Sequence, residues 1–299
     1  MKSRKVIQSH LVPENIQQTR FIDYARQIFT TVPSRQGIRK AIKRGEILID
    51  GKPAEYGRWI QPGMLLELVE NEINRTKVFS LKFDVIYEDE YLAVINKPAG
   101  YPVSGNRFKT IENALMNNIS ISCKPDALPS PKPVHRLDAL TCGLLIIAKT
   151  ITTRIELGRQ FENKEIQKKY RAIVMGKMPE SGTISEPVEN QVAITDFKLV
   201  ETISSLRSEW LSLLDLWPKT GRTHQLRIHL ASIGNPILGD KLYGEEHHVF
   251  KGKGLFLCAV GLDLVHPITK EKINLKIEEP NKFKIHLERE QKRWEKFSV

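Results

Sequence analysis

From Thr19 to Val69 the apolar positions recur first at helical and then at strand spacing. Ile22, Ala25, Ile28 and Phe29 form one apolar stripe and Ile38, Ala41 and Ile42 a second, which predicts two short helices. Ser34 stands where the second helix needs an N-cap and Gly45 where it needs a terminator. The remaining positions of that helix hold Arg35, Arg39, Lys40, Lys43 and Arg44, so one face is apolar and the other almost wholly cationic. EILIDGK then reads as a strand entering an Asp50-Gly51 hairpin turn, and PGMLLELV as a further strand. A polar leader precedes this block, and residues 71–82 read as a polar linker behind it.

Beyond the linker the chain is richer in β-branched and aromatic residues. FDVIYEDEYLAVINKPAGYPV predicts a strand, an acidic turn at Glu88 to Glu90, a strand from Tyr91 to Ile95 and a tight turn from Asn96 to Gly100. Thr110 to Met116 predicts a short helix, with a proline-rich loop following through Pro133. HRLDALTCG then opens onto the apolar run LLIIAK. Thr153 to Glu162 reads as a helix, KKYRAIVMGK and WLSLLDLWP as strands, and TGRTHQLRIHLASIG as a helix stopped by Gly234. The terminal KFKIHLEREQKRWEKF is a charged helix. There is no internal repeat and no glycine-rich phosphate loop.

Composition narrows the class. A chain of 299 residues can hold one domain of about 200 residues and a smaller one. A formal net charge of +11 points to a polyanionic partner, most often nucleic acid, although many basic proteins touch none. Cys123, Cys142 and Cys258 are widely spaced and form no CxxC pair, which suits a reducing compartment and argues against a zinc site. LLIIA falls far short of the roughly 18 apolar residues of a membrane span, and MKSRKVIQSH lacks the apolar core of a secretion signal. A soluble cytoplasmic protein is expected.

The chemistry turns on one carboxylate. Asp138 is the only acidic residue between Lys132 and Lys149, and there is none between Lys219 and Asn235. A glycosidase would pair two acids, whereas a lone aspartate suits covalent catalysis. Burial would raise its pKa, so an ionised Asp138 needs a nearby cation, for which Arg136 and Arg227 are the candidates. Those arginines would equally serve to bind phosphates or to balance a buried acid. His224 and His229 are five apart rather than the four of a helical metal pair, which favours hydrogen-bonded core histidines; His247 and His248 lie in a polar stretch and carry little information.

Two resemblances sharpen this reading. Two short helices, a basic face and a hairpin over residues 18–75 resemble the alpha-L RNA-binding module first known from a ribosomal small-subunit protein. Between residues 20 and 58 there are nine Lys or Arg against four acids, and the module would use Arg35, Arg39, Lys40, Lys43 and Arg44 on RNA. INKPAG, HRLDALTCGLLIIAK, KKYRAIVMGK and PKTGRTHQLRIHLASIGNPILGDKLYG, in that order, resemble the RluA-type RNA pseudouridine synthases. Cys142 departs from the family's usual serine but stays small.

The second resemblance implies an α+β catalytic domain over residues 80–285, with a mixed, largely antiparallel sheet, flanking helices and a central cleft. The smaller α/β RNA-binding module would precede it. It also implies isomerisation of uridine to pseudouridine with no cofactor or energy source, and the sequence itself offers no metal constellation. Asp138 becomes the catalytic carboxylate, Tyr170 the ring stacked on the target uracil, Arg227 the ion-pair partner of Asp138, and Arg136 the residue that holds the RNA open. The expected partner is RNA, large-subunit ribosomal RNA ahead of transfer RNA, with no membrane and the protein acting as a monomer. A non-catalytic RNA-binding protein on the same scaffold is the alternative that Asp138, Tyr170 and Arg227 argue against.

Overall fold

A computed structural model describes residues 5–69, 79–244 and 254–298. The chain divides into two compact units, Met1–Lys77 and Val78–Val299. Most of the expected linker, and His247 and His248, lie outside the described residues.

In the first unit α1 (Phe21–Ile28) and α2 (Arg35–Lys43) pack on a small antiparallel sheet of β1 (Val6–Leu11), β2 (Ile47–Ile49), β3 (Lys52–Pro53) and β4 (Leu65–Val69), in the order β1-β4-β2-β3. Phe21, Ala25, Phe29, Ile38, Ala41 and Ile42 from the helical part meet Ile47, Ile49, Leu66 and Leu68 from the sheet in one core. The Ser34 hydroxyl accepts the Gly37 amide at 3.0 Å, as an N-cap should. Asp50 and Gly51, with φ of 48° and 74°, form the tight hairpin turn. The leader is corrected here, because Val6–Leu11 pairs antiparallel with β4.

The second unit is built on one large sheet. Its strands are β5 (Val85–Glu88), β6 (Leu92–Lys97), β7 (Ala127–Pro133), β8 (Cys142–Thr150), β9 (Gln167–Met175), β10 (Ser181–Ile184), β11 (Thr195–Ser205), β12 (Glu209–Pro218), β13 (Leu257–Val265) and β14 (Lys272–Lys276). The main path runs β10-β11-β12-β9-β13-β8-β6-β5, with β14 on β13 and β7 on β8. Every pairing between these strands is antiparallel except β8 with β13. The short α3 (Ile111–Ala114) and α5 (Gln225–Ser232) pack through Ile111, Leu226 and Leu230 on the face that carries Ala93, Ile147, Tyr170 and Leu257. On the opposite face α4 (Ile151–Glu162) packs through Leu157, and α6 (Lys282–Phe297) through Phe283 and Leu287. The fold is therefore α+β with a mixed, largely antiparallel sheet.

Two expectations are corrected. The proline-rich stretch through Pro133 is not a loop but strand β7, which pairs with β8 through an irregular register. Proline tolerates such a peripheral position because only one side of the strand must donate amides. TGRT is not helical either: α5 begins at Gln225, behind His224 with a left-handed φ of 56°.

The single parallel pairing explains a glycine. Gly143 has φ of 109°, and a Cβ there would stand 2.2 Å from the Ala259 carbonyl oxygen. Only glycine lets β8 approach β13 so closely, and that approach fixes the root of the Asp138 loop. From the other side the wholly buried Lys97 ammonium donates to the carbonyls of Thr141 at 2.7 Å, Pro98 at 3.0 Å and Ala139 at 3.2 Å. The INKPAG turn thus clamps the DALT loop.

Candidate active site

Asp138 opens into a cavity of about 670 Å³ lined by the HRLD segment, the start of β9, and residues 217–227. Its carboxylate faces two groups from the α5 region: Arg227 Nη1 at 3.4 Å and His224 Nε2 at 3.7 Å. Arg227 binds Asp240 more tightly, donating from Nε at 2.6 Å and from Nη2 at 2.8 Å. One guanidinium therefore serves two carboxylates, closely to the buried Asp240 and loosely to Asp138. Burial tends to discharge Arg227, but Asp240 and then Asp138 outweigh it and raise its pKa above the ordinary value. Burial pushes Asp240 up, and the Arg227 bond with the amides of Leu242 and Tyr243 reverses this, holding it below the usual carboxylate range.

The turn after Asp240 completes the cluster. Tyr243 lies under the Arg227 guanidinium, 5.0 Å from its carbon to the ring centre, and its hydroxyl meets His224 Nδ1 at 3.0 Å. A non-glycine residue at positive φ is strained, and His224 keeps that conformation with its ring held between Tyr243 and Asp138.

Tyr170 lines the same cavity from β9. Burial, then the charge of Asp138, raises the pKa of its hydroxyl, so it remains protonated at neutral pH. His135 is not a base in this site: its Nε2 accepts the Ile146 amide at 3.0 Å, its ring packs on Phe161, and burial lowers its pKa to about 3.

Residues 91–232 match the family model described as RNA pseudouridylate synthase. Over 312 aligned positions the chain is 31% identical to "Uncharacterized RNA pseudouridine synthase" of Aquifex aeolicus, covering 95% of this chain and 96% of the relative. The chain belongs to the RNA pseudouridylate synthase family. Another relative is the "Ribosomal large subunit pseudouridine synthase D" of Pseudomonas aeruginosa, 30% identical, with 80% of this chain and 78% of the relative covered. Human RNA Pseudouridylate Synthase Domain Containing 4 superposes with a TM-score of 0.53 at 26% identity, covering 70% of this chain and 92% of its own.

Within this member of the pseudouridylate synthase family, Asp138, Tyr170, Arg136 and Arg227 all line one cavity. Arg136 is exposed and makes no ion pair among the described residues; the cation beside Asp138 is Arg227. Arg35, Arg39, Lys40, Lys43 and Arg44 are exposed in the other unit. Arg35 pairs with Asp23 at 2.6 Å and Arg44 with Glu46 at 2.6 Å, whereas Arg39, Lys40 and Lys43 have no acidic partner among the described residues. Both ring nitrogens of His229 are engaged, by Thr195 and by the Glu186 carbonyl, as expected of a core histidine. Cys142 is buried against the Leu257 carbonyl, as a packing residue would be. No helix among the described residues is long and apolar enough to cross a membrane.

Sequence reasoning missed Asp240, Tyr243 and Lys97. The first two stand in GDKLYG, where an acid after an acid-free run was the available signal; nothing in the spacing of Lys97 foretold its burial.

Proposed function

We propose that this chain converts uridine to pseudouridine in large-subunit ribosomal RNA, with Asp138 as the reactive carboxylate. The observation that carries the reading is the Asp138 carboxylate in the wall of a cavity that Tyr170 also lines, 3.4 Å from the charged Arg227. The reaction breaks the bond from ribose carbon 1′ to uracil nitrogen 1 and forms one to carbon 5. Carbon 5 loses a proton and nitrogen 1 gains one. Substrate and product are isomers, so neither an oxidant nor a group donor is required.

Arg227 sets a positive charge 3.4 Å from the Asp138 carboxylate, which serves it whether it attacks the uracil, attacks the ribose or removes a ribose proton. The target nucleotide must leave its stack to reach it, at a cost of a few kcal/mol. Stacking on Tyr170 offsets part of that cost, and insertion of the exposed Arg136 into the vacated place offsets more. The Arg39, Lys40 and Lys43 face of α2 contributes affinity through phosphates, with Arg35 and Arg44 beside it. Relatives named for the ribosomal large subunit support the choice of RNA. The protein acts as a monomer in the cytoplasm, without cofactor or metal. Mapping pseudouridine in ribosomal and transfer RNA from cells with and without this gene tests the reading; a large-subunit position that loses the modification supports it, and loss confined to transfer RNA would move the substrate.

A further inference from the structure

Lysines away from the surface find an oxygen or a ring almost everywhere in this molecule. Lys97 meets three carbonyls, Lys132 meets Glu112 at 2.7 Å, Lys149 meets Glu88 at 2.9 Å, Lys169 meets Asp215 at 2.7 Å, and Lys282 meets the Leu255 carbonyl at 2.7 Å. Lys124 sits over the Tyr91 ring. Lys168 is the exception. It is half-buried in the wall of the Asp138 cavity, and among the described residues no carboxylate lies within ion-pair distance.

Its placement is specific. Lys168 and Tyr170 alternate on β9, so both face the cavity, about 7 Å apart along the strand. Lys169 between them turns to Asp215 on β12. The Lys168 ammonium reaches across to the turn before α5, where Gly221 leaves space: a Cβ there would stand 3.9 Å from Nζ. Arg136, Lys219, Arg222 and Arg227 line the same cavity, against the acids Asp138 and Glu162. Burial holds the Lys168 ammonium below its ordinary pKa, as befits a cation without a partner. Withdrawing an unpaired charge from water is costly, and an incoming anion removes that cost.

Building on the function proposed above, we propose that Lys168 is a phosphate-binding residue of this cavity, taking an RNA phosphate next to the uridine that stacks on Tyr170. The separation of the two side chains along β9 matches the reach from a base to its own backbone. Lys168 would thus hold the extruded nucleotide by its charge while Tyr170 holds it by its ring.

The test compares the full chain with Lys168→Met and Lys168→Arg. Affinity for unmodified large-subunit ribosomal RNA is measured across a salt series, and a fragment is then taken around the uridine that the intact chain converts. Lys168→Met should bind several-fold to tenfold more weakly and lower the slope of log affinity against log salt by about one, while Lys168→Arg should retain both. In a second arm, a neutral methylphosphonate replaces the phosphate on either side of that uridine. One of the two replacements should weaken binding by the full chain and have little further effect on Lys168→Met. An unchanged salt slope in folded Lys168→Met, or losses that simply add at both phosphates, would overturn the proposal. The salt arm reads binding without turnover, so absence of pseudouridine with the intact chain would count against the proposed function and not against the lysine.

Discussion

Replacing Arg227 by alanine should damage the protein through Asp240 more than through Asp138. Asp240 has a fully buried side chain and holds Arg227 at 2.6 and 2.8 Å, whereas Asp138 keeps 18% of its side chain exposed and meets Arg227 at 3.4 Å. Removing one partner of a buried pair strands the other charge, which costs about 3–5 kcal/mol. In a unit of this size each kcal/mol lowers the melting temperature by about 2–4 °C, so Arg227→Ala should melt roughly 6–20 °C below the intact protein. Asp138→Asn weakens only two long, part-exposed contacts, to Arg227 at 3.4 Å and His224 at 3.7 Å, and should shift stability by less than about 1 kcal/mol. In Arg227→Ala/Asp240→Asn the stranded charge is gone, and part of the loss should be recovered. Thermal unfolding of the four proteins, with single-turnover rates at temperatures where each is folded, separates stability from chemistry. An Arg227→Ala protein as stable as Asp138→Asn would refute the assignment of Asp240 as the principal partner.

Tyr170→Phe keeps the ring and should bind the RNA about as well as the intact chain, whereas Tyr170→Ala should bind the modified site several-fold more weakly; equal binding by all three would remove stacking from the account. His135 is held neutral with its pKa lowered to about 3, so between about pH 6.5 and 3 the unfolded chain binds a proton there that the folded chain does not. Its contribution to stability therefore falls as pH is lowered through that window, by at most about 1.4 kcal/mol per pH unit, and chemical denaturation should show a flatter acid dependence for His135→Gln. Charge reversal of Arg39 and Lys43 should weaken RNA binding and lower its salt slope by about two, leaving the single-turnover rate at saturating enzyme near normal; a collapse of that rate would make the face part of the active site.

Local patterns were legible where burial has a period. In α2 the buried positions Ile38, Ala41 and Ile42, the Ser34 cap and Gly45 all agree with the sequence, because an amphipathic helix writes its core face into its spacing. β1 escaped notice because its six residues are exposed or half-buried, so no apolar alternation marks it. β10 and β14 are likewise short and mainly exposed, and β7 is laden with proline. At the site, the HRLD and GRTHQLR segments pointed to Asp138 and Arg227 through resemblance. That Arg227 leans on Asp240, and that Lys168 has no acidic partner among the described residues, depend on tertiary placement that no periodicity records. His224 shows a third kind of gap: its left-handed backbone makes the expected helix start late yet still brings its ring to Asp138.

The central claim is that Asp138 performs the isomerisation and does not merely hold the loop. The most direct measurement is single-turnover formation of pseudouridine, read at nucleotide resolution, by the intact protein and by Asp138→Asn on unmodified large-subunit ribosomal RNA, with RNA affinity and unfolding measured on the same preparations. The account predicts pseudouridine at one or a few positions with the intact protein, and none with an Asp138→Asn protein that folds and binds RNA nearly as well. Conversion by Asp138→Asn at a rate near that of the intact protein would contradict it.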